Sequence, residues 1–427
     1  MTTSFVAAIE PVAVARAEGA TVWDQDGTEF VDCFAGIAVV NAGHRHPKVI
    51  AAAKAQMDQV VHAATYVYHV PVVAELAEKL AEVSPGALRK TFFGNSGAEG
   101  IETAMRLAKA FTGRHEFLAL THSFHGRTNA TLSITGNKAR KTRGGPYLPG
   151  IAFAPVPYTY RNPWGTEDEE EVAEKAAAAI EWAIDFQTSG DVAAFVSETV
   201  WGEGGIIVPP KSYFERVKEI LDKHGILFIC DEVQSGFGRC GTLFAIEQFG
   251  VVPDLMVLAK GIADGFPLSA TLARPEIADV LRPGEHLSTF GGNPVSCAAG
   301  LANLEVMAEE RLPQESARKG ARALERLRAL QEEFPLIGEV RGLGLMIGVE
   351  LVRDRQTKEP ANTEAAAVRT FCREHGVLVG VGGQAGNVVR VQPPLVISDE
   401  ALDRALDTIG AALAAVAGKA RVGAVAG

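Results

Sequence analysis

Residues 225–234 read Gly-Ile-Leu-Phe-Ile-Cys-Asp-Glu-Val-Gln, and residues 253–261 read Pro-Asp-Leu-Met-Val-Leu-Ala-Lys-Gly. Each segment is a short apolar run that ends in one ionisable residue, Asp231 in the first and Lys260 in the second. Runs of this length that are rich in Ile, Leu, Val and Phe are typical of strands buried on both faces of a parallel sheet. Because ligands of open α/β sheets lie beyond the carboxyl ends of the strands, we expect Asp231 and Lys260 to meet at one edge of the sheet.

Asp231 and Lys260 together indicate a cofactor. A lone lysine at a strand end would more often extend its ammonium into solvent, and a lone aspartate would more often cap a helix. An amine that can form a Schiff base, with a carboxylate that keeps a pyridine nitrogen protonated, is what pyridoxal 5'-phosphate chemistry needs. The joint occurrence of the two residues therefore favours that cofactor.

Buried runs of the same kind recur along the chain and alternate with helical segments. The predicted strands are Thr91–Phe93, Glu116–Leu120, Ile151–Ala154, Ala193–Ser197, Ile226–Cys230, Leu255–Leu258 and Leu268–Leu272. This alternation predicts an α/β fold around a mainly parallel seven-stranded sheet. A hairpin is predicted around Asp26-Gly27. A long helical run from Asn293, with a break near Leu312-Pro313, leads into further strands and a final helix from Ser398, which predicts a smaller α/β domain.

We divide the chain into three parts on this basis. Residues 1–50 are predicted to be an N-terminal segment that packs with the small domain, residues 51–295 the large cofactor-binding domain, and residues 296–427 the small C-terminal domain.

The bulk composition excludes several classes of protein. The 427 residues are 47% hydrophobic and 22% charged, which is ordinary globular composition. The formal net charge of −11 argues against nucleic-acid binding, and no apolar stretch is long enough to span a bilayer. Five cysteines without CxxC spacing and an N-terminus unlike a secretory signal predict a cytoplasmic protein. No metal-binding motif occurs, so we expect no metal site.

Three further motifs follow predicted strands and carry groups that suit a cofactor. Residues 93–99, Phe-Gly-Asn-Ser-Gly-Ala-Glu, form a Gly-containing turn that opens a helix, where backbone N–H groups suit a phosphate. Phe124 and His125 could stack on a flat heterocycle, and Arg127 could bind a carboxylate. Glu198 and Glu203 lie in a Gly-rich loop. Taken singly, each motif also fits an ordinary turn, a solvated arginine or loop carboxylates.

The motifs as a set resemble the class III pyridoxal-phosphate aminotransferases. They occur in family order and cover nearly the whole chain, from Trp23 to Arg390: Asn95–Glu99, Phe124–Thr128, Glu198–Gly205, Asp231–Arg239, Lys260-Gly261 and Ser288–Pro294. The resemblance implies fold type I, a homodimer or a dimer of dimers with shared active sites, and substrates that are a small-molecule amino donor and a 2-oxo acid.

The resemblance also implies a role for each matching residue. Lys260 would form the aldimine with the cofactor and carry protons, and Asp231 would face the pyridine nitrogen. The other implied cofactor contacts are Ser96, Gly97, Ala98 and a neighbouring subunit's Thr289 at the phosphate, Phe124 and Val233 on the two ring faces, Gln234 near the phenolic oxygen, and His125 and Glu198.

Within the family, the chain is most similar to the 4-aminobutyrate aminotransferases. Ile37 and Arg127 match positions that bind the γ-amino acid chain and its carboxylate. Glu203 and Arg390 match a pair that acts as a switch, in which Glu203 neutralises Arg390 in one half-reaction and releases it for 2-oxoglutarate in the other. The implied function is transamination of an ω-amino acid, with 4-aminobutyrate the best guess, with 2-oxoglutarate by ping-pong half-reactions.

Alternatives remain open from the sequence. Thr199 and Trp201 depart from the family's usual loop, and Trp201 is expected to narrow the pocket. Aminotransferases for ornithine, acetylornithine, β-alanine or alanine–glyoxylate share most of the motifs, and some relatives are amino-acid racemases or epimerases that use the same lysine. A non-catalytic binding protein on this fold would be favoured by loss of Lys260 or Asp231, and both are present.

Overall fold

The computed structural model describes residues 10–425, without the side chains of residues 419–425. The outermost ends of the predicted segments 1–50 and 296–427 therefore lie outside the described residues, and the three-part division of the chain stays a prediction.

The strands, in chain order, are β1 Val14–Glu18, β2 Thr21–Asp24, β3 Glu29–Cys33, β4 Lys90–Gly94, β5 Glu116–Leu120, β6 Ile151–Ala154, β7 Val192–Glu198, β8 Leu227–Asp231, β9 Leu255–Leu258, β10 Ser269–Ala273, β11 Ile337–Leu343, β12 Met346–Asp354, β13 Glu359–Pro360, β14 Val377–Gly382 and β15 Val388–Val391. The helices are α1 Ala35–Ala38, α2 Pro47–Met57, α3 Pro71–Val83, α4 Gly97–Thr112, α5 Asn129–Ser133, α6 Glu169–Gln187, α7 Tyr213–His224, α8 Pro275–Ala278, α9 Pro294–Glu309, α10 Leu312–Glu333, α11 Asn362–Glu374 and α12 Asp399–Val425.

The larger architectural unit is a seven-stranded sheet in the order β4-β10-β9-β8-β7-β5-β6. Strands β9, β8, β7, β5 and β6 pair in parallel, and only β10 runs antiparallel to its neighbours β9 and β4. All seven predicted strands form within one residue of their predicted positions. The mainly parallel seven-stranded sheet is therefore confirmed. Every residue of β7 and β8 is buried, as expected for central strands covered by helices on both faces.

The second sheet joins the two ends of the chain. Its order is β1-β2-β3-β14-β15-β12-β11, with β13 paired to β12. The predicted hairpin forms between β2 and β3, and β3 pairs in parallel with β14. The smaller α/β unit predicted from the sequence is thus present, and β1–β3 are part of its sheet.

The predicted break in the long helical run is confirmed. Helix α9 begins at Pro294, where the side chain of Asn293 accepts N–H groups at the helix start, and it ends at Glu309. Arg311 has a left-handed backbone conformation (φ 53°), and α10 begins at the next residue with Pro313 in its first turn. Proline suits that position because the first N–H groups of a helix have no intrahelical partner.

All five cysteines lie in the described part of the chain, where each is buried and free of any disulfide. Among the described residues, no helix combines the length and apolar character needed to cross a membrane. A cytoplasmic location stays a prediction.

Candidate active site

A cavity of about 320 Å³ opens at the carboxyl ends of the parallel strands. Asp231 and Lys260, the ionisable residues that follow the apolar runs of β8 and β9, line this cavity. Most of the other residues predicted to contact a cofactor line it as well: Ser96, Gly97, Ala98, Phe124, His125, Glu198, Val233 and Gln234. The sheet therefore brings together groups that are up to 164 residues apart in sequence, as the carboxyl-edge argument predicts.

Asp231 is the last residue of β8 and is 4% exposed. Its Oδ1 accepts the backbone N–H of Val233 at 3.0 Å, and its Oδ2 lies 2.8 Å from His125 Nδ1. Because an ionised carboxylate only accepts, the His125 ring donates from Nδ1 to Asp231. The structure thus places His125 edge-on to the aspartate, where it fixes the orientation of the carboxylate.

Glu198 lies beside Asp231, since the two residues are paired across β7 and β8. Its carboxylate accepts the backbone N–H groups of Phe124 and Gly202, each at 2.9 Å. Burial, reinforced by the nearby charge of Asp231, raises the pKa of Glu198 to about 8, although both N–H groups and Lys260 oppose the shift. Burial and the neighbouring carboxylate thus both favour the neutral form of Glu198.

Lys260 follows the end of β9 and adopts a left-handed backbone conformation (φ 42°). Such a conformation costs free energy in a residue with a Cβ and is found preferentially at functional sites. Burial lowers the pKa of Lys260, and Arg390 adds to this, while Asp231, Glu198 and Glu203 act in the opposite direction. A lower pKa increases the fraction of neutral amine, which is the nucleophilic form.

The start of α4 forms a cradle at one end of the cavity. The side chain of Ser96 caps the helix by accepting the N–H of Glu99 at 3.3 Å. The first N–H groups of a helix have no intrahelical acceptor, so those of Gly97 and Ala98 suit an anion. A Cβ at Gly97 would come within 2.9 Å of Val233 Cγ1, so this position needs glycine to let the turn approach the cavity.

The cavity fits pyridoxal phosphate on several observations. The α4 cradle suits a phosphate, and Phe124 and Val233 line the same cavity as the cradle and Lys260. In the described structure, Gln234 Nε2 and His125 Nε2 are buried without a hydrogen-bond partner. Buried polar atoms normally have partners, so these two point to a polar group that belongs in the cavity.

Glu203 and Arg390 meet near this cavity. Arg390 is on β15 and contacts Glu203 Oε2 through Nη1 at 3.4 Å. Both residues are close enough to Lys260 to influence its pKa. Burial lowers the pKa of Arg390, Glu203 opposes this shift, and Arg140 adds to it. Arg140 also contacts Glu203 directly, which sequence reasoning missed.

Five predicted residues do not line the cavity of the single chain: Glu203 and Arg390, which meet near it, and three residues at the surface. Arg127 is exposed, and its guanidinium is 5.4 Å from the centre of the Phe124 ring. Ile37 is 42% exposed in the irregular segment α1. Thr289 is exposed, and the hydroxyl of its neighbour Ser288 is 3.3 Å from Asn95 Nδ2, beside the cradle. The cavity is also lined by residues that sequence reasoning missed: Val39, Asn95, Gly126, Ala259 and Gly265–Leu268.

The expectation that Trp201 narrows the pocket is wrong. Trp201 is fully buried, and its ring stacks on Phe214 of α7 with an interplanar angle of 2° and lies edge-on to Tyr213. A large aromatic side chain gains more from burial in such a cluster than from partial exposure at a cavity wall. Thr199, the other departure, donates its hydroxyl to Glu232 Oε1 at 2.7 Å. Trp201 and Thr199, the two departures from the family's usual loop, therefore contact buried residues that do not line the cavity.

Comparison with known proteins gives consistent matches over the whole fold. The sequence profile of the family described as "Aminotransferase class-III" matches residues 5–413. A probable 4-aminobutyrate aminotransferase of Bacillus subtilis is 41% identical over 94% of this chain and 92% of its own length. A leucine/methionine racemase of Thermococcus litoralis is 42% identical over 95% of this chain and 91% of its own length. The PLP-bound amine transaminase from an uncultivated Pseudomonas species superimposes with a TM-score of 0.92 at 34% identity, covering 97% and 98% of the two chains.

Proposed function

Because this chain belongs to the pyridoxal-phosphate-dependent class III aminotransferases, we propose that it transfers the amino group of an ω-amino acid, with 4-aminobutyrate the best candidate, to 2-oxoglutarate. The observation that carries the proposal is the Glu203–Arg390 contact beside Lys260. A carboxylate in contact with an arginine offsets the charge of that arginine, which becomes available as a cation when the two separate. That suits an enzyme whose two substrates differ in charge next to the reacting carbon.

Pyridoxal phosphate, when bound, supplies an electron sink for negative charge at the carbon that bears the amino group. Lys260 Nζ is the group we assign to take the proton from that carbon, since its lowered pKa favours the neutral amine. Asp231, which His125 orients, would face the pyridine nitrogen and favour its protonated form. Ser96, Gly97, Ala98 and Thr289 of the partner subunit are proposed to hold the phosphate, with Phe124 and Val233 on the ring faces, Gln234 at the phenolic oxygen and Glu198 beside Asp231.

Glu203 and Arg390 would admit the two substrates in turn. While they are in contact, the site accepts an ω-amine that has no carboxylate near its amino group. When Glu203 separates from Arg390, the guanidinium can bind the α-carboxylate of the 2-oxo acid by paired hydrogen bonds. The buried Nε of Arg390, which has no partner in the described structure, supports a ligand at this position.

The ω-amino acid assignment rests on Arg127 and Ile37. Both are exposed at the surface of the single chain, and Arg127 stands over the ring of Phe124, which lines the cavity. We propose that Arg127 binds the distal carboxylate of the amino donor and that Ile37 contacts its alkyl chain. The name of the Bacillus relative supports the same donor.

A second candidate function is racemisation of an amino acid. It is favoured by the relative named leucine/methionine racemase, which is as similar to this chain as the Bacillus protein is. Lys260 would then return the proton to the carbon from which it came, and no acceptor would be consumed.

A panel of amino donors tests both candidates. We expect 4-aminobutyrate to be consumed only when 2-oxoglutarate is present, with glutamate as the second product. Arg127→Ala is expected to lower kcat/KM for 4-aminobutyrate about tenfold and to leave kcat/KM for n-butylamine, which has no carboxylate, nearly unchanged. Equal losses for both donors would contradict the role of Arg127. Inversion of L-leucine or L-methionine without an acceptor, seen by chiral chromatography, would instead support the racemase.

We also propose that the active unit is a homodimer. Several large apolar side chains are exposed around a groove of about 750 Å³: Tyr66, Val67, Tyr68, Leu287 and Phe290. Exposed apolar area of this kind marks an interaction surface. Thr289 is exposed in the same surface segment and does not line the cavity of its own chain. This position is what we expect of a residue that contributes to the active site of a partner subunit. Light scattering is expected to give twice the chain mass, and a monomer that is active at assay concentration would contradict the shared site.

A further inference from the structure

Glu203 has two arginine partners in this structure. Its Oε2 contacts Arg390 Nη1 at 3.4 Å, and its Oε1 accepts Nε of Arg140 at 2.9 Å and also Nη2 of Arg140. Arg140 is in the short 3₁₀ turn Lys138–Arg140, far in sequence from β15. One carboxylate is thus shared by two guanidinium groups, and the cluster carries a net positive charge.

Arg140 makes the closer contact with Glu203. Arg140 donates two hydrogen bonds to one oxygen, whereas Arg390 makes a single contact at the long end of the hydrogen-bond range. The Arg140 side chain is 37% exposed and that of Arg390 only 6%. Water can therefore solvate the outer arginine but hardly the inner one.

The difference between the two arginine contacts bears on the proposed separation of Glu203 from Arg390 between half-reactions. The present inference rests on that proposed function. Separation of a half-buried carboxylate from its cation is costly when the carboxylate loses every partner. Glu203 keeps its contact with Arg140 when Arg390 is released, so the carboxylate is not left without a partner.

We propose that Arg140 is a positioning residue that controls binding of the amino acceptor: by holding Glu203 through its other carboxylate oxygen, it keeps Arg390 available for the α-carboxylate of the 2-oxo acid. Without Arg140, Glu203 would turn fully to Arg390 and compete with the acceptor. The amino donor, which needs the Glu203–Arg390 contact to be closed, would not be affected in the same direction.

The test is a double-mutant cycle on the holoenzyme. The probe is glutarate, which has both carboxylates of 2-oxoglutarate and no reactive carbonyl, and its Kd is measured by calorimetry. Arg140→Met is expected to weaken glutarate binding about fivefold, a value at the upper end for a partly exposed ion pair. In the Glu203→Gln background, where no carboxylate competes for Arg390, the same replacement is expected to change Kd by less than about twofold. KM for 2-oxoglutarate should follow Kd, while kcat/KM for n-butylamine should not fall.

Lys138→Met is the matched control, because Lys138 has the same charge in the same turn and forms no ion pair among the described residues. It is expected to leave Kd unchanged, and an equal effect would mean that a general positive field acts instead of the bond to Glu203. An unchanged Kd in Arg140→Met, or the same loss in both backgrounds, would overturn the inference. If Glu203→Gln alone fails to tighten glutarate binding, or if no variant binds glutarate, the proposed exchange itself is wrong.

Discussion

Replacement of Lys260 by alanine is expected to reduce transamination by about 10⁴-fold or more, because one change removes both the Schiff-base amine and the proton carrier. No second amine lines the cavity in the described part of the chain, so no neighbour can take over. The fold should persist, since the Lys260 side chain lines the cavity instead of filling the core, and alanine adds no volume.

The measurement is single-turnover kinetics of Lys260→Ala with donor and acceptor, beside thermal unfolding followed by circular dichroism. The yellow colour of the bound cofactor should be lost or altered. A small primary amine added to the solution is expected to restore part of the rate, because it can enter the space that the side chain leaves. Normal turnover by Lys260→Ala would show that the lysine has been assigned the wrong role.

Replacement of Asp231 by asparagine is expected to reduce kcat about 10³-fold, since it removes one buried charge whose loss is typically worth several kcal/mol. Asparagine keeps the shape of aspartate: its one carbonyl oxygen can accept the Val233 N–H, while its NH2 group can donate to His125 Nδ1 in the other neutral tautomer of the ring. The loss would therefore report the charge that faces the pyridine nitrogen. Because the charge of Asp231 raises the pKa of Glu198, that pKa should also fall in the variant.

Asp254→Asn is the matched control for a buried carboxylate. Asp254 is 6% exposed, accepts the N–H of Phe228 at 2.8 Å and pairs with Arg274, and it precedes β9 at the end of the sheet away from the cavity. Its replacement should lower the free energy of unfolding but leave kcat of the folded enzyme unchanged. If Asp231→Asn behaves like Asp254→Asn, the aspartate is structural and has no electronic role.

Much of the site could be predicted because it is encoded locally. A buried strand is recognisable as an apolar run, and the residue that ends the run marks the carboxyl end of the strand. Because the carboxyl ends of parallel strands lie at one edge of a sheet, Asp231 and Lys260 could be placed together from the sequence. The break between α9 and α10 could be predicted for the same reason, since Pro313 shows it in the sequence.

The features that were missed depend on contacts between distant segments. Arg140 is one of many charged loop residues, and only the fold brings its turn against Glu203, 63 positions later. The orientation of the Trp201 side chain depends on its packing against Phe214 in α7. Val39 reaches the cavity from a segment with left-handed residues, for which the sequence Ala-Gly-Ile-Ala gives little signal. Side-chain partners of this kind need the tertiary arrangement, which local periodicity does not contain.

The parallel pairing of β3 with β14 has a consequence for biosynthesis. β3 is complete near residue 33, but its partner starts at Val377, so the ribosome must add more than 300 residues before that edge can be covered. Protein synthesis adds about 5–20 residues per second, so the edge of β3 that pairs with β14 stays unpaired for roughly tens of seconds. An uncovered strand edge is a template for pairing with other chains. The nascent protein should therefore engage a chaperone during this interval, and truncation before residue 377 should yield aggregates.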